Sequence, residues 1–131
     1  MTEPSRQPRM LVVDDERVIT FALKSYFGKH GFDVDTTTES EEALALLTNY
    51  HYDIVIADLR LTGSTEEEGL EVVRLARVRN AKMVIILLTA YRTAAITERA
   101  QALGADVLLQ KPKPLPELAQ TVFALMESRT P

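Results

Sequence analysis

The sequence predicts an α/β domain in which helices cover both faces of a parallel sheet. Three observations carry that expectation in a chain of 131 residues: short continuous apolar runs, helical stripes between them, and the strict alternation of the two. A chain of this length fits one domain and can bury a sizeable core without staples. Continuous rather than alternating apolar runs are what strands look like when both sheet faces are covered.

Taken in order, the runs are Met10–Val13, Ile54–Ala57, Met83–Leu88 and Val107–Leu109. A weaker strand over Phe32–Thr37 alternates Phe, Asp, Val, Asp, Thr, which suits an edge. Ile19, Ala22, Leu23 and Tyr26 form the first helical stripe, with Gly31 as its stop. Ser40–Thr48 presents Ala43, Leu44 and Leu47, and Gly69–Val78 presents Leu70, Val73 and Ala76. Ile96, Ala100 and Leu103 form a fourth stripe closed by Gly104. Leu115, Leu118, Val122 and Leu125 form the last, with Pro114 and Pro116 near its start. The order is β-α five times over, and right-handed crossovers leave few topologies for it. Residues 1–8 read as a disordered tail, 9–127 as the domain, and 128–131 as a C-terminal tail or the start of a linker.

Composition excludes several function classes. With no cysteine there is no disulfide, thiolate metal site or cysteine nucleophile, which fits a cytoplasmic protein. The longest purely apolar run, Met83–Leu88, is too short to span a bilayer, and polar Met1–Arg9 does not resemble a signal peptide. A net charge of −4 and the lack of any Lys/Arg block argue against direct nucleic-acid binding.

The chemistry gathers at strand ends. Asp14 and Asp15 follow the first run, Asp58 the third, Thr89 the fourth, and Lys111 comes just after the fifth. In an open parallel sheet these C-terminal ends share one edge, where ligands bind. Three carboxylates in close range repel unless a cation joins them. Magnesium suits such a set, because it takes a few carboxylates and keeps waters for phosphate oxygens. A carboxylate can also act as nucleophile and form an aspartyl phosphate. Lys111 and Thr89 would then neutralise and hydrogen-bond the phosphoryl oxygens.

Each residue alone has a plainer reading. The paired aspartates could cap a helix, Asp58 could serve a turn, Thr89 could end a strand, and Lys111 could sit in solvent. Their concentration on one edge is what makes the pattern specific.

The stretches Leu11-Val12-Val13-Asp14-Asp15-Glu16, Asp53 through Asp58, Leu88-Thr89-Ala90 and Lys111-Pro112 resemble response-regulator receiver domains over residues 9–127. The resemblance implies a flavodoxin-like fold with strand order 2-1-3-4-5. It implies Asp58 as phosphoacceptor, with magnesium held by Asp14, Asp15, Asp58 and the Arg60 backbone carbonyl. Thr89 and Lys111 would contact the phosphoryl group, and Lys111-Pro112 would be a cis bond. The implied phosphodonor is a phosphohistidine on a sensor kinase or phosphotransfer protein. The output would be a downstream protein or a linked domain, and the receiver a monomer or a phosphorylation-dependent dimer. Such a protein is a switch rather than an enzyme, since it assists only its own phosphorylation and dephosphorylation.

Two departures from the family pattern stand out. The segment between Asp58 and Gly69 is longer than usual and lacks the Met-Pro pair. Leu108 stands where the family usually has Tyr or Phe, and Lys113 replaces the common aromatic after Lys-Pro. An aspartate-nucleophile phosphatase would place Asp-x-Asp after the first strand. A flavodoxin-type electron carrier would place a hydroxyl-rich loop there. Asp14-Asp15-Glu16-Arg17 matches neither. A silent interaction module would lack part of the set, and here all of it is present.

Overall fold

The computed structural model describes residues 7–60 and 67–129. Five strands run parallel in the order β2-β1-β3-β4-β5: β1 Arg9–Val13, β2 Asp33–Thr37, β3 Ile54–Asp58, β4 Val84–Thr89 and β5 Val107–Gln110. The helices between and after them are α1 Arg17–Gly28, α2 Ser40–Asn49, α3 Glu67–Arg79, α4 Ala94–Leu103 and α5 Leu115–Ser128. The alternating strand is indeed an edge.

The continuous apolar runs resolve into two faces of one sheet. Leu11, Val13, Val55, Ala57, Ile85, Leu87 and Leu108 face one core, which Ala43 and Leu47 of α2, Val73 of α3 and Ile96 of α4 complete. Met10, Val12, Ile54, Ile56, Ile86 and Leu109 face the other, completed by Leu23 and Phe27 of α1 and Leu118 and Val122 of α5. Successive strand side chains point to opposite faces, so an unbroken apolar run is required to fill both. Truncating a fully buried ring such as Phe27 would cost about 3–5 kcal/mol.

The helix ends follow from local chemistry. Gly31 (φ 92°) turns the chain after α1, and the Phe32 N–H reaches back to the Phe27 carbonyl at 3.1 Å. Gly104 (φ 117°) ends α4 in the same left-handed conformation. Thr93 caps the start of α4, its hydroxyl accepting from the Ile96 N–H at 3.2 Å.

Three strands outlast their apolar runs by one residue, ending on Asp58, Thr89 and Gln110. Asp58 still pairs with Leu88, and Thr89 with Gln110. All three polar residues are therefore the last members of strands rather than the first of loops. The long segment after Asp58 falls mainly on residues 61–66, outside the described residues, as do residues 1–6 of the expected N-terminal tail and the last residues, 130–131.

Candidate functional site: an acidic pocket at the C-terminal sheet edge

The C-terminal ends of β1 and β3 meet at Lys111, which follows β5. Its Nζ donates to Asp14 Oδ2 at 3.0 Å and to Asp58 Oδ2 at 3.2 Å. Residues 97 and 53 positions away in sequence thereby share one ammonium. The strand register explains the meeting, because β1 and β3 are neighbours and β5 lies beyond β4. The Lys111 N–H also donates to the Thr89 carbonyl at 2.7 Å, which fixes where the lysine leaves β5. The Lys111-Pro112 bond that follows is cis, as the resemblance implies.

Asp14 is 2% exposed and Asp58 7% exposed. Asp14 Oδ1 accepts from the Glu16 N–H at 2.9 Å, so its carboxylate serves a turn and the lysine at once. It does not cap α1, whose N-cap position is Glu16. Asp58 has a pKa pushed up to about 6. Burial is the main cause and the Asp14 charge adds to it, while Lys111 and a backbone hydrogen bond from Arg60 pull the other way without prevailing. For Lys111, burial works against the ammonium, but its hydrogen bonds and charge pairing with Asp14 and Asp58 outweigh it and hold the pKa above the ordinary lysine value.

Thr89 reaches the same edge, buried at 4% exposure. Its hydroxyl is engaged locally, accepting from the Tyr91 N–H at 3.3 Å and facing the Tyr91 carbonyl at 3.4 Å. Asp58, Arg60, Thr89, Ala90, Tyr91, Lys111 and Glu16 line a pocket of about 270 Å³. Asp15 is exposed and is not among the residues that line it.

Among the described residues, Asp14, Asp15 and Glu16 form a group of three carboxylates whose oxygens lie within 4.8 Å of one another. Glu16 was not among the sequence-derived candidates. Its signal was its position directly after the aspartate pair. The oxygen-only donor set fits a hard divalent cation. Asp14, Asp15, Glu16 and Asp58 bring four carboxylates to one edge, and Lys111 is the ammonium set among them.

The sheet order and the acidic edge together define a flavodoxin-like domain with a carboxylate pocket at its switch point. The model of the response regulator receiver domain family matches residues 10–123, and the chain belongs to that family. It is 33% identical over 118 residues to the two-component response regulator PhoP of Pseudomonas aeruginosa, covering 90% of this chain and 51% of that protein. The chain spans about half the length of the curated relatives it matches. A receiver domain protein from Methanospirillum hungatei has the same fold, with a TM-score of 0.87 at 23% identity over 95% of this chain and 97% of that one. A response regulator from Burkholderia pseudomallei, solved with a phosphorylated aspartic acid, a calcium ion and citrate, has a TM-score of 0.77 at 25% identity over 95% of this chain and 75% of that one. The chain is thus a receiver domain of two-component response regulators, a family whose general role is signalling.

Proposed function

We propose that Asp58 is the phosphoacceptor of a magnesium-dependent switch. One observation carries the reading: a carboxylate buried at the end of β3 shares the Lys111 ammonium with Asp14, beside a pocket roomy enough for a phosphoryl group. In the transfer, an Asp58 carboxylate oxygen attacks phosphorus, the P–N bond to a donor histidine breaks, and its electron pair stays on the imidazole. Lys111 then exchanges part of its contact with Asp58 for the new phosphoryl oxygens. Thr89 leaves its contacts with Tyr91 and donates to the same group. A magnesium ion held by Asp14, Asp15, Asp58 and the Arg60 carbonyl would neutralise charge developing on the phosphoryl oxygens.

The donor is a sensor histidine kinase or a histidine phosphotransfer protein in the cytoplasm. The output is a separate protein or a linked domain, read from the surface near β4 and β5, with the receiver monomeric or dimerising on phosphorylation. The receiver assists only its own phosphorylation and hydrolysis, and this domain does not itself bind nucleic acid. The acidic edge and absence of a basic block support the last point.

Intact-protein mass after incubation with acetyl phosphate tests the reading, with and without magnesium and beside Asp58→Asn. A single magnesium-dependent phosphoryl adduct, absent from the variant, is expected. An adduct that survives in Asp58→Asn moves the acceptor elsewhere.

A further inference from the structure

We infer that Glu16 selects among phosphodonors, by holding a negative charge at the mouth of the Asp58 pocket against the Lys111 ammonium. The inference rests on the reading of Asp58 as phosphoacceptor. Glu16 occupies the N-cap position of α1, yet its side chain makes no capping hydrogen bond. Its Oε1 lies instead 3.8 Å from Lys111 Nζ. The backbone beneath it is fixed on both sides. The Glu16 N–H donates to Asp14 Oδ1 at 2.9 Å, and its carbonyl accepts from the Ile19 and Thr20 N–H groups at 3.0 and 3.1 Å.

Three carboxylates thus surround one ammonium, and they are not equivalent. Asp14 and Asp58 hold it from within the protein, whereas the Glu16 side chain is 64% exposed. Glu16 also lines two adjoining spaces, the pocket over Asp58 and an apolar groove of about 540 Å³ beside α1. Lys111 lines the same two spaces but its side chain is only 17% exposed, so the Glu16 charge stands nearer to solvent than the ammonium does. A small dianionic donor arrives with its own charge bare and is repelled. A donor carried on a protein brings a surface that can cover the groove and offset the same carboxylate. A rim charge of this kind acts on association rate and its salt dependence more than on folding.

The experiment compares labelling rates of the wild type, Glu16→Gln and Glu16→Asp. The donors are acetyl phosphate and the less negatively charged phosphoramidate, at saturating magnesium and across a salt series. Magnesium affinity is measured separately by calorimetry on the unphosphorylated protein. Glu16→Gln should label with acetyl phosphate about two- to fivefold faster, the scale of a single exposed charge interaction, and with a flatter salt dependence. Phosphoramidate should gain less, and Glu16→Asp should stay near wild type. Equal gains or no gain with both donors would overturn the inference and leave the Asp58 reading intact. So would a loss of magnesium affinity in Glu16→Gln that slows both donors together, since Glu16 would then be a metal ligand. A wild type that takes no phosphoryl group from either donor would overturn the Asp58 reading, and the inference with it.

Discussion

At Asp58 a carboxylate is kept where its charge is poorly solvated, and the consequence can be measured. Its pKa in the fold, about 6, lies above the ordinary carboxyl value of 3.8. A group raised in this way costs stability when ionised. The cost is absent below the ordinary value, grows as pH rises through the interval between the two, and is complete above about pH 6. Asparagine at this position stays neutral and keeps an oxygen for Lys111. Without divalent cation, Asp58→Asn should therefore be more stable than wild type by about 1–3 kcal/mol at neutral pH. The advantage should vanish towards about pH 4, where wild type is protonated too. Urea unfolding at several pH values checks this. A gap that does not change with pH would mean that burial is not what perturbs Asp58. The sequence exposed the residue types at this edge, but it did not reveal that Lys111 bridges Asp14 to Asp58 or that the Thr89 hydroxyl is already bonded to Tyr91. Those are distances between distant segments or rotamer choices, and neither has a signature in spacing.

Among the elements, α3 packs backbone to backbone on Leu59, the residue that follows Asp58. Gly69 lies in its first turn, and its N–H donates to the Leu59 carbonyl at 3.1 Å. A Cβ at position 69 would meet the Leu59 carbonyl oxygen at 2.4 Å and the Leu59 Cα at 2.6 Å. Backbone cannot yield as a flexible side chain would, so helix and strand end must separate. Gly69→Ala should cost about 1–3 kcal/mol in chemical unfolding, more than alanine's better helix propensity returns. A neutral or stabilising result would show that α3 is free to shift. Since Leu59 directly follows Asp58, the variant should also slow phosphorylation. The glycine itself was legible as the end of an unusual segment. Its reason, backbone against backbone, appears only in three dimensions. The other family departure is likewise an element-scale matter: Leu108 is 2% exposed and fills the core beside Ile96 and Leu87. The nearby polar link between the β4–α4 segment and β5 is instead Arg92, whose Nη1 donates to the Leu108 carbonyl at 3.3 Å.

Across the whole molecule, the two ends of the sheet do different work. At the end remote from Lys111, Asp106 begins the β5 side. Its Oδ2 accepts from the Ile85 N–H at 2.8 Å and from Arg77 at 3.3 Å, while its Oδ1 accepts from Arg129 just beyond α5. Arg77 also donates to the Gly104 carbonyl, at 2.8 Å from Nη2. One carboxylate thereby joins α3, β4, β5 and the residue after α5. Asp106→Ala leaves a strand N–H and a half-buried guanidinium without that acceptor, and should cost about 2–3 kcal/mol. Its labelling by acetyl phosphate should match wild type, because the chemistry lies at the opposite end. Stability loss together with loss of labelling would indicate coupling along the strands.

How much of this was legible follows from how each feature is encoded. Strands buried on both faces must be apolar throughout, helices must show one stripe, and a doubly wound sheet must bring its strand ends to one edge. Fold class, element order and the positions of Asp14, Asp58, Thr89 and Lys111 could therefore be read locally from the chain. Three strands ran one residue past their apolar runs because backbone pairing does not depend on side-chain hydropathy. Glu16 turning from its helix towards Lys111, Gly69 packing on Leu59 and Asp106 joining two arginines were decided by the tertiary structure alone. Each depends on the distance between segments far apart in sequence, or on a rotamer chosen among several of similar energy, and only the folded chain selects between them.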